Sequence, residues 1–182
     1  LLRAGEADAV LAVGGENALC PVVVSGLTQA GALSKQSEDP ALACRPFDIN
    51  RDGFVMGEGG GAVIIETEKH ALARGANIYA ELAGYANTSD AHHVTAPMPD
   101  GAGAARCMKL ALKRAGMNPS EIDYINAHGT STPLGDKAET TAVKTVFGGK
   151  EGAPPMSSTK SMTGHLMGAG GLTEARSEEH TS

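Results

Sequence analysis

The chain has 182 residues, with 41% hydrophobic and 20% charged positions, which is enough to bury a core and excludes wholesale disorder. Aromatics are 3% with no Trp, and 15 Lys+Arg stand against 21 Asp+Glu for a net charge of −6, so an aromatic platform for single strands and a broad basic face for nucleic acid are both disfavoured. Three widely spaced cysteines, Cys20, Cys44 and Cys107, form neither a disulfide framework nor a CxxC metal or redox site, which fits a reducing, cytoplasmic setting.

Leu1 to Gly5 lack the apolar run of a signal peptide and read as the last turn of a helix stopped by Gly5, so the natural protein is expected to start upstream. Ala9-Val10-Leu11-Ala12-Val13, ending at Gly14-Gly15, reads as a buried strand of a parallel sheet. Residues 21–31 suit a small-residue helix or loop, and residues 40–52 are irregular. Residues 61–66 form a second buried strand, and 69–74 a helix stopped by Gly75. Residues 79–85 read as a third strand. Residues 103–115 give the clearest helix, with Ala104, Met108, Ala111 and Ala115 on one face and Gly116 ending it. Asn118-Pro119-Ser120-Glu121 is a capping signature. Residues 124–127 are a fourth strand ending at His128, and 136–147 a helix with Val143, Val146 and Phe147 inward. Residues 155–159 lead a fifth strand to Lys160, and 164–174 form a helix rich in Gly and Ala. Strands alternating with helices imply a layered α/β fold with a mostly parallel sheet. No stretch is long and apolar enough to span a bilayer.

Arg176-Ser177-Glu178-Glu179-His180-Thr181-Ser182 departs from the composition before it. The heptapeptide is what a common sequencing-adapter oligonucleotide encodes, so residues 176–182 read as a non-native tail and His180 as a poor ligand; the plain alternative is a polar tail.

Some motifs fail on context. Gly57-Glu58-Gly59-Gly60-Gly61-Ala62 fits G-x-G-x-x-A, but a strand follows it where a dinucleotide fingerprint needs a helix. Gly148-Gly149-Lys150 is followed by Glu151, not by the Ser or Thr of a phosphate loop. His92-His93 read as loop residues. Two other segments carry chemistry. Asn126-Ala127-His128-Gly129-Thr130-Ser131-Thr132 runs on to Asp136, and Ser157-Ser158-Thr159-Lys160-Ser161-Met162-Thr163-Gly164-His165 runs on to Gly171. Each places a His just past a predicted strand, where α/β sheets bind ligands. Two imidazoles there can hold a developing oxyanion, and Lys160 adds a fixed positive charge. The structural alternative for each His is a hydrogen-bonded strand-end residue. For Lys160 it is a salt bridge with Asp136, Glu139 or Glu174.

These words resemble those of the beta-ketoacyl-ACP synthase family, the condensing enzymes of fatty acid synthesis, and are most similar to its synthase II branch. Arg45-Pro46-Phe47-Asp48, the block from Arg51 to Gly59, Gly14-Gly15-Glu16 and Ser89-Asp90-Ala91-His92-His93 add to the resemblance, which covers residues 1–175. It implies a thiolase-like αβαβα fold, here incomplete: the end of the N-terminal half over residues 1–75 and most of the C-terminal half over 76–175. It implies decarboxylative elongation of acyl-ACP with malonyl-ACP. In that chemistry His128, His165 and Lys160 are catalytic, while Glu174, Asp136 and Glu139 are supporting. It implies no metal and no organic cofactor, since phosphopantetheine belongs to the partner acyl carrier protein, and a homodimer as the full-length state. The family's nucleophilic Cys is expected upstream of Leu1, so the chain alone is expected to be inactive. Cys20, Cys44 and Cys107 do not match that position. Polyketide ketosynthases rank second, because they usually carry Val-Lys-Ser-Asn-Ile-Gly-His around the Lys and second His. A non-catalytic chain-length-factor-like subunit tends to lose both His and Lys, and thiolases pair His with Cys.

Overall fold

The computed structural model describes residues 1–178, with side chains to Arg176; residues 179–182, the end of the segment read as a tail, lie outside the described residues. No helix among the described residues is long and apolar enough to cross a membrane.

The chain opens with a turn in which the Gly5 and Glu6 N–H groups return to the Leu2 and Leu1 carbonyls, with Gly5 at φ +70°. Strand β1 (Ala9–Glu16) follows, and its ladder partner is β2 (Gly59–Glu66), antiparallel, with Ala9 opposite Glu66 and Glu16 opposite Gly59. The expectation of parallel pairing is therefore corrected. Exposure alternates along β1: Leu11 and Val13 face outward, while Val10, Ala12 and Gly14 face inward. An apolar run reads as doubly covered, and pairing direction is not encoded in the run itself. Between the strands lie helix α1 (Pro21–Gln29), with Pro at its first turn, and an irregular segment with one 3-10 turn at Pro40–Leu42. After β2, Thr67 caps α2 (Glu68–Ala73), which ends before Gly75 at φ +66°.

Residues 79–85 form no strand among the described residues. The segment finds no ladder partner; its contacts include the Arg3 guanidinium on the Ala83 carbonyl, Gly84 against the end of the next helix, and Arg114, which donates to the Tyr85 carbonyl and lies over the Tyr85 ring. β-propensity shows itself only where a second strand supplies the hydrogen bonds.

That next helix is α3 (Ala102–Ala115), closed by Gly116 at φ +71°. Its inward residues are Ala105, Met108 and Leu112, spaced i, i+3, i+7; Ala104 is exposed, so the predicted face is rotated by about one position. A capped 3-10 turn at Pro119–Glu121 leads to β3 (Ile125–Asn126), which pairs in parallel with β4 (Met156–Ser157). Between them runs α4 (Pro133–Phe147), whose Ala142, Val143, Val146 and Phe147 form the densest core with Ala105, Met108 and Leu112 of α3. Val143, Val146 and Phe147 face inward as predicted.

The predicted helix over 164–174 is replaced by two pieces. Lys160 opens a short helix α5 (Lys160–Thr163), Gly164 stops it at φ +68°, and α6 (Gly170–Glu178) begins only after a turn through 164–169. Consecutive Gly and Ala permit either state, and the anchoring of that turn described below decides between them. Helix α6 covers the inner face of the β1/β2 ribbon, with Leu172 against Gly14 and Gly61.

The α3/α4 seam is expected to dominate stability. Phe147→Ala empties the middle of it and should lower unfolding free energy by roughly 3–5 kcal/mol, read as a shift of the denaturant midpoint at unchanged slope.

Candidate active site

His128 leaves the end of β3. Ala127 is buried and its N–H donates to the Ser157 carbonyl at 2.8 Å, so the chain emerges in fixed register. A tight turn follows, with Gly129 at φ +39° and Ser131 at φ +68°; a left-handed Ser is strained and needs its surroundings to hold it. The surroundings are the first turns of α4. Glu139 accepts the His128 N–H on one carboxylate oxygen and the Gly129 N–H on the other, both at 2.8 Å. Asp136, 1% exposed, accepts the Ser131 N–H at 3.1 Å and the Phe47 N–H at 2.7 Å, with the Arg51 guanidinium at 3.4 Å. Ser131 in turn accepts the Arg45 N–H on its hydroxyl and the Gly53 N–H on its carbonyl, each at 3.0 Å. The Ser158 hydroxyl donates to the Gly129 carbonyl at 2.8 Å.

His165 arrives differently from expectation. It does not sit at a strand end; it follows α5 and the Gly164 turn, and is pinned by a short parallel bridge to Met56. Its N–H donates to the Val55 carbonyl at 2.7 Å, and its carbonyl accepts the Gly57 N–H at 3.1 Å. The two imidazoles then meet edge to face, centroids 5.2 Å apart at 81°. Phe54 packs edge-on against the other side of His165 at 5.1 Å. His128 is exposed and His165 half-buried.

Lys160 is 2% exposed, and its ammonium donates to the Glu174 carboxylate across from α6. Of the three acids weighed for Lys160, Glu174 is the partner. Asp136 and Glu139 are occupied with backbone N–H groups. Lys160 acts on the histidines through its field. His165 is pushed down to about 4, first by burial, then by His128 and Lys160, with Glu16 opposing. His128 is lowered too, first by burial and then by Lys160, with Glu139, Glu174 and Asp136 opposing. Burial pushes Asp136 up, and the Phe47 N–H, Arg51 and the Ser131 N–H oppose that push. The downward shifts favour the uncharged form of both adjacent imidazoles near neutral pH, and a neutral imidazole keeps one N–H donor. Such a pair can stabilise negative charge that develops on an oxygen between them.

The structure brings His128, His165, Lys160, Glu174, Asp136 and Glu139 into one region. Sequence reasoning assigned no part to Phe54, Ser131, Phe47 or Glu16. Phe47 is left-handed at φ +66°, and its ring lies against Gly129, where an added methyl would sit 3.0 Å from it. Glu16 reaches the turn after His165. All four lie in the motif blocks already noted, but their contacts cross more than 80 residues of chain (Ser131 to Arg45; Glu16 to Gly168), and no local pattern announces them.

Residues 1–71 match the beta-ketoacyl synthase N-terminal domain and residues 79–177 the beta-ketoacyl synthase C-terminal domain. The chain is 53% identical over 175 residues to 3-oxoacyl-[acyl-carrier-protein] synthase 2 of Synechocystis, covering 96% of this chain and 42% of that protein. It is 50% identical to the protein of the same name from Staphylococcus aureus, covering 96% and 43%. Among solved structures it superposes on a type II polyketide acyl carrier protein in complex with its ketosynthase bound to the hexaketide, with TM-score 0.93, 44% identity, 98% of this chain and 44% of that one. A beta-ketoacyl synthase from Burkholderia phymatum gives TM-score 0.91, 40% identity, 99% and 43%. The fold is therefore that of the thiolase-like ketosynthases, and the chain spans about two-fifths of the length of the relatives it matches.

His165 binds a proton near pH 4 when folded, against an ordinary value of 6.5. Between those values the unfolded chain binds more protons, so stability rises with pH through that window and falls as pH drops from 6.5 toward 4. Chemical unfolding at a series of pH values should show that slope, and His165→Asn should remove its share.

Proposed function

The chain belongs to the beta-ketoacyl synthase family, and from that premise we propose that the protein containing it condenses acyl and malonyl groups carried on acyl carrier protein. The single observation that supports this most is the pair of uncharged imidazoles 5.2 Å apart beside a buried, carboxylate-paired lysine. In the proposed reaction a cysteine thiolate outside this chain holds the growing acyl group as a thioester. Malonyl-ACP binds with its thioester oxygen between His128 and His165. The carbon–carboxylate bond breaks, carbon dioxide leaves, and its electron pair becomes an enolate whose oxygen takes up the negative charge. The two imidazole N–H groups donate to that oxygen and gain strength as the charge grows, so they favour the transition state over the ground state. The enolate carbon attacks the acyl thioester, a carbon–carbon bond forms, and the thiolate departs. The product is longer by two carbons.

Neutral imidazoles suit this work. A charged His would bind the malonate carboxylate and hold it back from leaving, so burial and Lys160 favour the useful protonation state. Lys160 and Glu174 set the local potential, while Asp136 and Glu139 hold the backbone under His128. No cofactor takes part; phosphopantetheine comes with the carrier protein. The expected setting is a cytoplasmic homodimer, with neither membrane nor nucleic acid as partner, and residues 1–75 and 76–175 as the two thiolase-like parts. Fatty acid elongation is the favoured pathway, because the two relatives above carry the synthase 2 name at 50–53% identity. A polyketide ketosynthase is the second reading, favoured by the superposition at TM-score 0.93. Retention of His128, His165 and Lys160 speaks against a non-catalytic partner subunit.

The 182-residue chain alone is not expected to condense. Cys44 is buried and its thiol is pushed up, the reverse of an activated nucleophile; Cys20 is exposed, and Cys107 is committed to the Ala86 carbonyl. Elongation of acyl-ACP by this chain would overturn that expectation. The main test uses the full-length protein. His128→Ala and His165→Ala should each slow decarboxylation of malonyl-ACP by about 10²–10³-fold, while acyl transfer onto the nucleophile survives. Normal decarboxylation in both variants would remove the reading.

A further inference from the structure

His165 is held on its upstream side by the bridge to residues 55–57. What holds it downstream is a carboxylate from the far end of the chain. Glu16 is the last residue of β1, and its Oε2 accepts the Gly168 N–H at 2.7 Å, three residues past His165. The contact has no slack. A methyl on Gly14 would stand 2.6 Å from the Gly168 carbonyl, and one on Gly168 would strike the Gly15 carbonyl. Leu166 and Ala169, on either side of that glycine, are buried. The strand end and the turn are therefore in direct, tight contact.

We infer that Glu16 is a positioning residue for His165: its carboxylate anchors the turn through 165–168 to the end of β1 and so fixes where His165 stands opposite His128. The inference rests on the imidazole pair being the enolate site. A hydrogen bond from a backbone N–H to a charged carboxylate is among the stronger ones available, and it joins segments 152 residues apart. The Glu16 charge also opposes the downward push that burial, His128 and Lys160 exert on His165, so this carboxylate is within electrostatic reach of the ring it positions. A plain loop cap would show neither the interlocked glycines nor that reach.

The test compares Glu16→Ala, Glu16→Gln and Glu16→Asp in the full-length protein. Small displacements of a catalytic group cost roughly ten- to a hundredfold in rate. Glu16→Ala should lower kcat for malonyl-ACP decarboxylation by that factor, with KM and acyl transfer onto the nucleophile held within about twofold. Glu16→Gln should recover most of the rate, because its amide oxygen can accept the same N–H. Glu16→Asp keeps the charge but is one methylene short, and should resemble Ala; it stands in if the Ala variant does not fold. In parallel, amide exchange at Gly168 should speed up in the Ala and Asp variants, and the His165 imidazole resonances should move. Unchanged kcat in Glu16→Ala, or equal loss of decarboxylation and acyl transfer, overturns the inference. If the unmutated protein decarboxylates nothing, the functional reading falls; Gly168 exchange and His165 resonances then decide the positioning claim, and no change in either overturns it.

Discussion

Two carboxylates on consecutive turns of α4, Asp136 and Glu139, accept backbone N–H groups from two distant stretches of chain: Phe47, and the turn through His128, Gly129 and Ser131. The backbone under His128 hangs on this knot. Asp136 is almost wholly buried, and a buried carboxylate is costly unless its charge is met. Here it is met by two N–H donors and a guanidinium, and burial still pushes its proton affinity upward. The knot is thus stable only when all its members are present, since loss of a partner from such a site typically costs several kcal/mol. That all-or-none quality holds Ser131 in a left-handed conformation it would otherwise leave.

The charges around the histidines follow from the same geometry. Lys160 is buried with Glu174 as its counter-ion, so its field acts at short range in a medium that screens poorly. It lowers both imidazoles. The carboxylates of Glu139, Glu174 and Asp136 pull His128 back up, while Glu16 does the same for His165. His165 has the fewer opposing acids and the apolar Phe54 against it, and it is pushed down to about 4. The two rings are alike in chemistry but unequal in environment.

Much of this was legible in the sequence, and the reasons are specific. Helix α4 is readable over 136–147 because Val143, Val146 and Phe147 repeat at helical spacing, while its first turn from Pro133 is not. Both histidines were readable because each sits in a run of Gly, Ser and Thr too polar for a core and too ordered for a linker. The Lys160–Glu174 pair was one of three alternatives left open. Pairing was not readable: β1 meets β2 antiparallel, and residues 79–85 meet no strand, because ladder partners are chosen by tertiary contact rather than by the run itself. The break between α5 and α6 was also hidden, since the glycines that allow it equally allow a continuous helix.

The β1/β2 ribbon is apolar on both faces, yet α6 covers only one. Val10, Ala12 and Gly14 lie on the covered side, while Leu11, Val13 and Ile64 stand exposed on the other. Apolar residues on both faces are the pattern of a sheet packed between two layers, which agrees with a chain that spans 42% of its Synechocystis relative. The two faces do not matter equally to the histidines. Several contacts of the turn after His165 belong to the covered side or to the strand end: Gly14 against Gly168, Leu172 against Gly14 and Gly61, and Glu16 on the Gly168 N–H; Leu166 packs in addition against Gly57 and Gly59. The His165 turn is therefore tied to the covered side of the ribbon and to its strand end.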